Sequence, residues 1–96
     1  MTKYILHEKV LHADLEGVKE IILKNIDLDE LDNLGHTALH WAVFGGYYEI
    51  VKILLEAGAN PNIISEDGVT PIWRAQDFGF TEIENLFIFY NKKLNS

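Results

Sequence analysis

Cysteine is absent from the 96 residues, which removes disulfide staples, thiolate zinc sites and a cysteine nucleophile. Serine is almost absent: only Ser65, in a loop-forming stretch, and the terminal Ser96 occur. The chain has no G-x-S-x-G, glycine-rich phosphate loop or H-E-x-x-H motif, so it is expected not to be an enzyme and to need no cofactor or metal. Positive charge is scarce as well. Eight Lys+Arg face fifteen Asp+Glu, a net charge of −7, and an acidic chain repels phosphate backbones, so nucleic acid is not expected as a partner. No apolar run approaches the length of a membrane span. Lys3, His7, Glu8, Lys9, His12 and Asp14 interrupt any leader core near the N-terminus, and the expectation is a soluble cytoplasmic protein without a membrane partner. The chain is 48% hydrophobic and 24% charged, within the globular range. Its length suits one modest domain that buries roughly two-thirds of its unfolded surface.

The chain repeats itself. At an offset of 33 residues Gly35 falls on Gly68, Thr37 on Thr70, Leu39 on Ile72, Ala42 on Ala75 and Gly46 on Gly79. Glu49, Ile50 and Leu54 fall on Glu82, Ile83 and Phe87. The same shift backwards is weaker: Leu39-His40 meets Leu6-His7, and Glu49, Val51 and Lys52 meet Glu16, Val18 and Lys19. Three units follow, at 1–31, 32–64 and 65–96, with no linker between them. Each reads as two helices and a turn, with breaks near Ala13, Gly46 and Gly79 and longer loops near 26–36 and 58–69. Thr70 before Pro71 marks a helix start with a hydroxyl cap.

The segment Gly35-His36-Thr37-Ala38-Leu39-His40-Trp41-Ala42 resembles the G-x-T-P-L-H-x-A signature of the ankyrin repeat, with Ala in place of Pro. Glu49 to Asn62 is close to that family's second helix and loop, and Gly68 to Ala75 is a third-unit version. The first unit is degenerate and reads as a capping repeat. The resemblance implies an all-α solenoid of three stacked helix-turn-helix units with hairpin-like loops. The residues agree on their own terms, because one helix pair is too small to bury its apolar face and must stack. Terminal units then need a polar outer face. Lys9, Glu16 and Lys19 supply it in the first unit; Glu84 and Asn85 supply it in the third, in place of Val51 and Lys52. Thr81-x-x-Glu84 also has the form of a capping box.

His36 and His40 have the spacing of two zinc ligands on a helix. However, His36 precedes the helix start at Thr37, so the rings are not expected to share a face, and zinc needs more ligands. By resemblance His40 is the structural histidine that bonds Thr37 and nearby backbone. His7 is its first-unit equivalent with Tyr4 in place of the threonine, and Trp73 takes the position in the third unit.

Acids crowd the loops: Asp27, Asp29, Glu30 and Asp32 in the first, Glu66 and Asp67 in the second, with Asp77 at the end of the third unit's first helix. They read either as an acidic rim for a basic partner or as ordinary wet loops. Trp41, Phe44, Tyr47 and Tyr48 cluster at the end of the middle unit's first helix, with Phe78 and Phe80 at the matching place. Phe44 and Phe78 read as binding anchors, Tyr48 as packing, and Trp41 as either. The resemblance places Asn33, Leu34, His36, Phe44, Gly45, Glu66, Asp67, Val69, Asp77 and Phe78 in the variable, ligand-facing set. Leu86 to Tyr90 is apolar throughout and cannot all face inward, so Phe89 or Tyr90 is exposed or covered by the tail from Lys92 to Ser96.

The expected function is protein binding by occlusion, with no output domain attached and a monomer when free. Small acidic ankyrin proteins of this build resemble bacterial immunity proteins, so a toxin effector with a basic surface is the candidate partner. The richness in Ile, Lys and Asn fits a low-GC bacterial source. An adaptor or assembly factor is the alternative of the same class, and a small hydrolase with an acidic-groove site is the alternative of another.

Overall fold

The repeated apolar segments become three helix pairs: α1 (Ile5–Leu11) with α2 (Leu15–Ile22), α3 (Ala38–Phe44) with α4 (Tyr48–Glu56), and α5 (Pro71–Phe78) with α6 (Thr81–Leu94). The computed structural model describes residues 4–94, without the side chain of residue 94, and these residues contain no strand. First helices begin at Ile5, Ala38 and Pro71 and second helices at Leu15, Tyr48 and Thr81, a spacing of 33 in both series. First helices stack on first helices (α1 on α3, α3 on α5) and second on second (α2 on α4, α4 on α6), which makes the all-α solenoid.

One hydrogen-bonded turn closes every pair. The N–H groups of Asp14, Tyr47 and Phe80 reach back to the carbonyls of Lys9, Ala42 and Ala75 at 2.9, 3.0 and 2.8 Å. Those of Ala13, Gly46 and Gly79 bond Val10, Val43 and Gln76. The two bonds satisfy carbonyls that a helix end leaves orphaned, and they need a left-handed residue. φ is 53° at Ala13, 70° at Gly46 and 73° at Gly79. Ala13 holds that conformation with a Cβ, at a cost of about 1–2 kcal/mol.

Two expected caps are not made. Thr70 is the N-cap of α5 with extended backbone, yet its hydroxyl makes no cap bond; the Trp73 N–H donates to the Thr70 carbonyl instead. Thr81 is already the first residue of α6, one position too late to cap it. Its hydroxyl donates to the Gly79 carbonyl at 3.4 Å, and Glu84 accepts from Gln76 Nε2 at 3.1 Å.

The core runs through all three pairs and includes the fully buried Val10, Val18, Leu39, Val43, Val51, Leu54 and Phe87. Val10 and Val43 are in phase with Gln76, and Val18 and Val51 with Glu84. The hydrogen-bonded pair Gln76–Glu84 therefore lies where the inner pairs put valines. At the other end Lys19 pairs with Glu16 at 3.4 Å and Lys9 with Asp14 at 3.7 Å. In the apolar run, Leu86 and Phe87 are buried, Ile88 and Phe89 are exposed and Tyr90 is half-buried. No Gly stands at 91 to match Gly58, and α6 runs on through that position. Residues 95 and 96 of the expected covering tail lie outside the described residues. No helix of the described residues is long and apolar enough to cross a membrane.

Candidate functional site

The long loops that precede α3 and α5 are built alike. Asp32 N–H donates to the His36 carbonyl and Gly35 N–H to the Asp32 carbonyl, at 2.9 and 3.0 Å; Ser65 and Gly68 repeat both bonds, to Val69 and Ser65, at 2.9 Å. These are the hairpin-like tips that the repeat implies. Glu66 N–H joins the two loops by donating to the Gly35 carbonyl at 3.1 Å. Gly35 has φ 77°, and a Cβ added there would overlap the Glu66 side chain.

His40 locks the first turn of α3 to the next loop. Its N–H donates to Thr37 Oγ1 at 3.1 Å, and its ring Nδ1 accepts from the Thr37 N–H at 3.2 Å. Nε2 lies 3.0 Å from the Val69 carbonyl. Since Nδ1 accepts, the proton sits on Nε2 and is donated to Val69. Burial disfavours the imidazolium and holds the His40 pKa below its ordinary value, against the favourable contact with Val69. His7 Nε2 makes the equivalent contact to the His36 carbonyl at 3.1 Å. Both ring nitrogens of His40 are thus occupied by structure.

The expectation that the His36 and His40 rings do not share a face is corrected: they meet edge to face with centroids 5.6 Å apart. The tight turn at Gly35 swings His36 back over α3, where it also lies against Trp41 and Phe44 at 5.0 and 5.3 Å. His36 Nε2 is 3.3 Å from Asp67 Oδ1. The approach is off the line of a hydrogen bond, and neither buried ring nitrogen has a well-directed partner.

The loop acids divide into two groups. Asp32 accepts from the N–H groups of Leu34 and His36, both at 3.0 Å, and from the Trp41 indole at 2.7 Å. Burial raises its pKa, but these three donors outweigh burial and hold the carboxyl below the ordinary range. The Ser65 hydroxyl donates to Asp67, which is also held low, by that bond first and by His36 in addition. Asp29 accepts from Asn60 N–H at 2.8 Å and ties the first loop to the α4 end of the second, away from the aromatic cluster. These three acids hold loops together. Glu30, Glu66 and Asp77 are exposed. Asp32 and Asp67 are ionised acceptors at neutral pH, the opposite of the raised carboxyl that a hydrolase acid requires.

The face that results is continuous. Asp32 bonds Trp41, Trp41 lies against His36, and His36 in turn meets both Asp67 and Phe44; the series extends through a residue not foreseen from the sequence. The Arg74 guanidinium lies 4.4 Å from the Phe44 ring centroid and 4.9 Å from that of Phe78. Phe44 is half-buried beneath it, whereas Phe78 is 51% exposed. Val69 is half-buried, and Leu34 and Asn33 are exposed, the latter accepting from the Tyr4 hydroxyl at 3.3 Å. Tyr48 packs against the core. A signal for Arg74 was available: it stands four residues before Phe78 on a helix, the spacing at which side chains meet.

Such a stack, with first helices and loop tips on one side, defines a repeat scaffold whose surface is built for contact. A model of ankyrin repeats in three copies matches residues 6–96, and the chain belongs to the ankyrin-repeat family. It is 40% identical over 70 residues to the inactive serine/threonine-protein kinase TEX14 of Bos taurus, covering 73% of this chain and 5% of that one. It is 38% identical over 66 residues to human protein phosphatase 1 regulatory subunit 27, covering 69% of this chain and 43% of that one. The chain therefore spans less than half the length of these curated relatives. An ankyrin repeat domain from Acinetobacter baumannii AYE superposes with a TM-score of 0.87 at 34% identity, covering 95% of this chain and 50% of that one. Ankyrin repeats generally serve as non-catalytic modules for binding other proteins.

Proposed function

We propose that the chain binds a partner protein through the face built from α3, α5 and the tips of the two long loops, and acts by covering the surface it occupies. The observation that carries this is the exposed Phe78, which shares the Arg74 guanidinium with the half-buried Phe44, with Glu66 and Asp77 exposed on the same elements. An aromatic centre that excludes water, ringed by charge, is the chemistry of a binding hot spot. The exposed acids favour a basic partner surface and quicken encounter with it. The remaining sequence-based site residues, Asp29, Glu30, Asp32, Asn33, Leu34, His36, Trp41, Asp67 and Val69, belong to this proposal as its margin or its support. An immunity protein that blocks the basic substrate groove of a toxin is one form of the reading. A toxin gene beside this one would support that form, and an adaptor would lack such a neighbour.

Site-specific photo-crosslinking tests the reading. A benzophenone side chain placed at Phe78 is expected to trap a partner in the source cells, and one placed at the exposed Glu49 on α4 is not. Equal trapping from both positions would put the interface elsewhere, with Ile88 and Phe89 as the next surface to test.

A further inference from the structure

Arg74 is the only arginine in the chain, and between Lys24 and Lys92 the only other cation is Lys52, on α4. It sits on α5 against three rings: Phe44 at 4.4 Å, Phe78 at 4.9 Å and Trp73 at 5.5 Å. Its Nε is enclosed with no hydrogen-bond partner, while its Nη groups are open to solvent and bond nothing among the described residues. A chain with fifteen Asp and Glu side chains leaves its one guanidinium without an ion pair among the described residues. The reason is local. Asp32 is taken by Trp41, Leu34 and His36, and Asp67 by Ser65. Asp77, three residues on along α5, makes no ion pair among the described residues.

Rings against a guanidinium fix its plane and lower the conformational entropy still to be lost when the fork is used. A solvent-open, pre-oriented fork matches a carboxylate, which takes two parallel N–H bonds. The surrounding charge selects among anions. Glu66, Asp67 and Asp77 share this face and repel a phosphate dianion more than a singly charged carboxylate. We propose that Arg74 is a receptor for one Asp or Glu side chain of the partner protein, set within the partner's otherwise basic surface. The inference rests on the reading of this face as the binding face and adds to it: the acids choose a basic partner, and Arg74 chooses where that partner carries its one acid.

Peptide selection tests it with the whole chain. A displayed random library is panned on the wild-type protein, and peptides whose binding is lost with Phe78→Ala are kept. The expected peptides are rich in Lys and Arg with one Asp or Glu at a constant position. Changing that acid to its amide should weaken binding to wild type at least tenfold and leave binding to Arg74→Gln unchanged. Arg74→Lys, which keeps the charge and loses the fork, should fall between the two. If the amide binds wild type as well as the acid does, or loses equally on Arg74→Gln, Arg74 does not read a carboxylate, though the binding face stands. A phosphoserine in place of the acid that binds more tightly would overturn the choice of carboxylate. If no selected peptide depends on Phe78, the binding face and this inference fall together.

Discussion

Replacing His40 by Ala removes a ring that is fully buried and joins two repeats. Without it the Thr37 N–H loses its acceptor and the Val69 carbonyl loses its donor. Thr37 is buried and Val69 half-buried, so water does not fully replace either partner. A buried group left unsatisfied costs about 1–3 kcal/mol, and the emptied ring volume adds a cavity term. The expected loss is about 3–4 kcal/mol, on the low side of that sum because Val69 is partly reached by solvent. A protein of this size holds roughly 5–14 kcal/mol in total, and each kcal/mol moves Tm by about 4–8 °C. His40→Ala should therefore lower Tm by about 12 °C or more. His7→Ala is the internal control, because its ring makes the equivalent Nε2 contact to His36 without a threonine cap; it strands one partner and not two, so its expected loss is about 1–3 kcal/mol with a smaller total than for His40 once the similar cavity terms are added. Thermal and urea unfolding of the two variants against wild type decides the matter. A fall below about 4 °C for His40→Ala, or an equal fall for His7→Ala, would refute the assignment of a cap and an inter-repeat tie to one ring. Unchanged melting with lost zinc uptake would show that the ring serves a metal.

Stability should drop with acid in two steps, because His40 and Asp32 both have folded pKa values below their ordinary 6.5 and 3.8. The unfolded chain binds more protons at each, so the neutral ring stabilises fully above 6.5 and loses this as pH falls towards its folded value; Asp32 repeats the pattern below 3.8. A urea midpoint that is flat from neutrality to pH 5, or a slope that His40→Ala leaves untouched, would contradict the first step. Gly35→Ala should cost about 1–2 kcal/mol in a melting experiment from its left-handed φ alone, with the overlap on Glu66 in addition. Phe44→Ala should cost about 2 kcal/mol or more, since the ring is half-buried against His36, Trp41 and Arg74. Phe78→Ala should leave Tm within a few degrees and lower partner affinity, chiefly through faster dissociation.

The helix starts could be read because they repeat with the period of the sequence, and so could the turns at Gly46 and Gly79. The turn at Ala13 is legible by phase alone, since nothing in its chemistry favours a positive φ. Spacing does not reveal whether Thr70 and Thr81 cap their helices: Thr81 already lies inside α6, and for Thr70 the difference lies in the third residue of the helix. At Thr37 the third residue is a histidine whose ring returns the bond. At Thr70 it is Trp73, whose ring has no acceptor to return a bond and whose N–H donates to the Thr70 carbonyl and not to the hydroxyl. Local side-chain bonds such as Asp32 to Leu34 follow ordinary turn chemistry. The bond from Asp32 to Trp41 and the seat of Arg74 against Phe44 need the loop and the neighbouring repeat to be in place first. Phase also hides Arg74, because its counterpart one repeat earlier is Trp41 and its ring partner Phe44 is the counterpart of Asp77.

Charge counted along the chain overstates the rim and understates its structure. Asp29, Asp32 and Asp67 each accept at least one hydrogen bond that shapes a loop, so their removal disturbs the shape of the face as well as its potential. Glu66 and Asp77 make no side-chain hydrogen bond or ion pair among the described residues and act mainly through the field they project. The two roles separate on ionic strength, because exposed charges are screened by salt and buried or bonded ones much less. On the proposed binding face, recognition would then divide among three parts: exposed acids that set the rate of encounter, committed acids that hold Trp41 and His36 in place, and Arg74 with its rings at the centre. Each part responds to a different perturbation. A substitution that slows association without moving Tm belongs to the first part, and one that moves both belongs to the second.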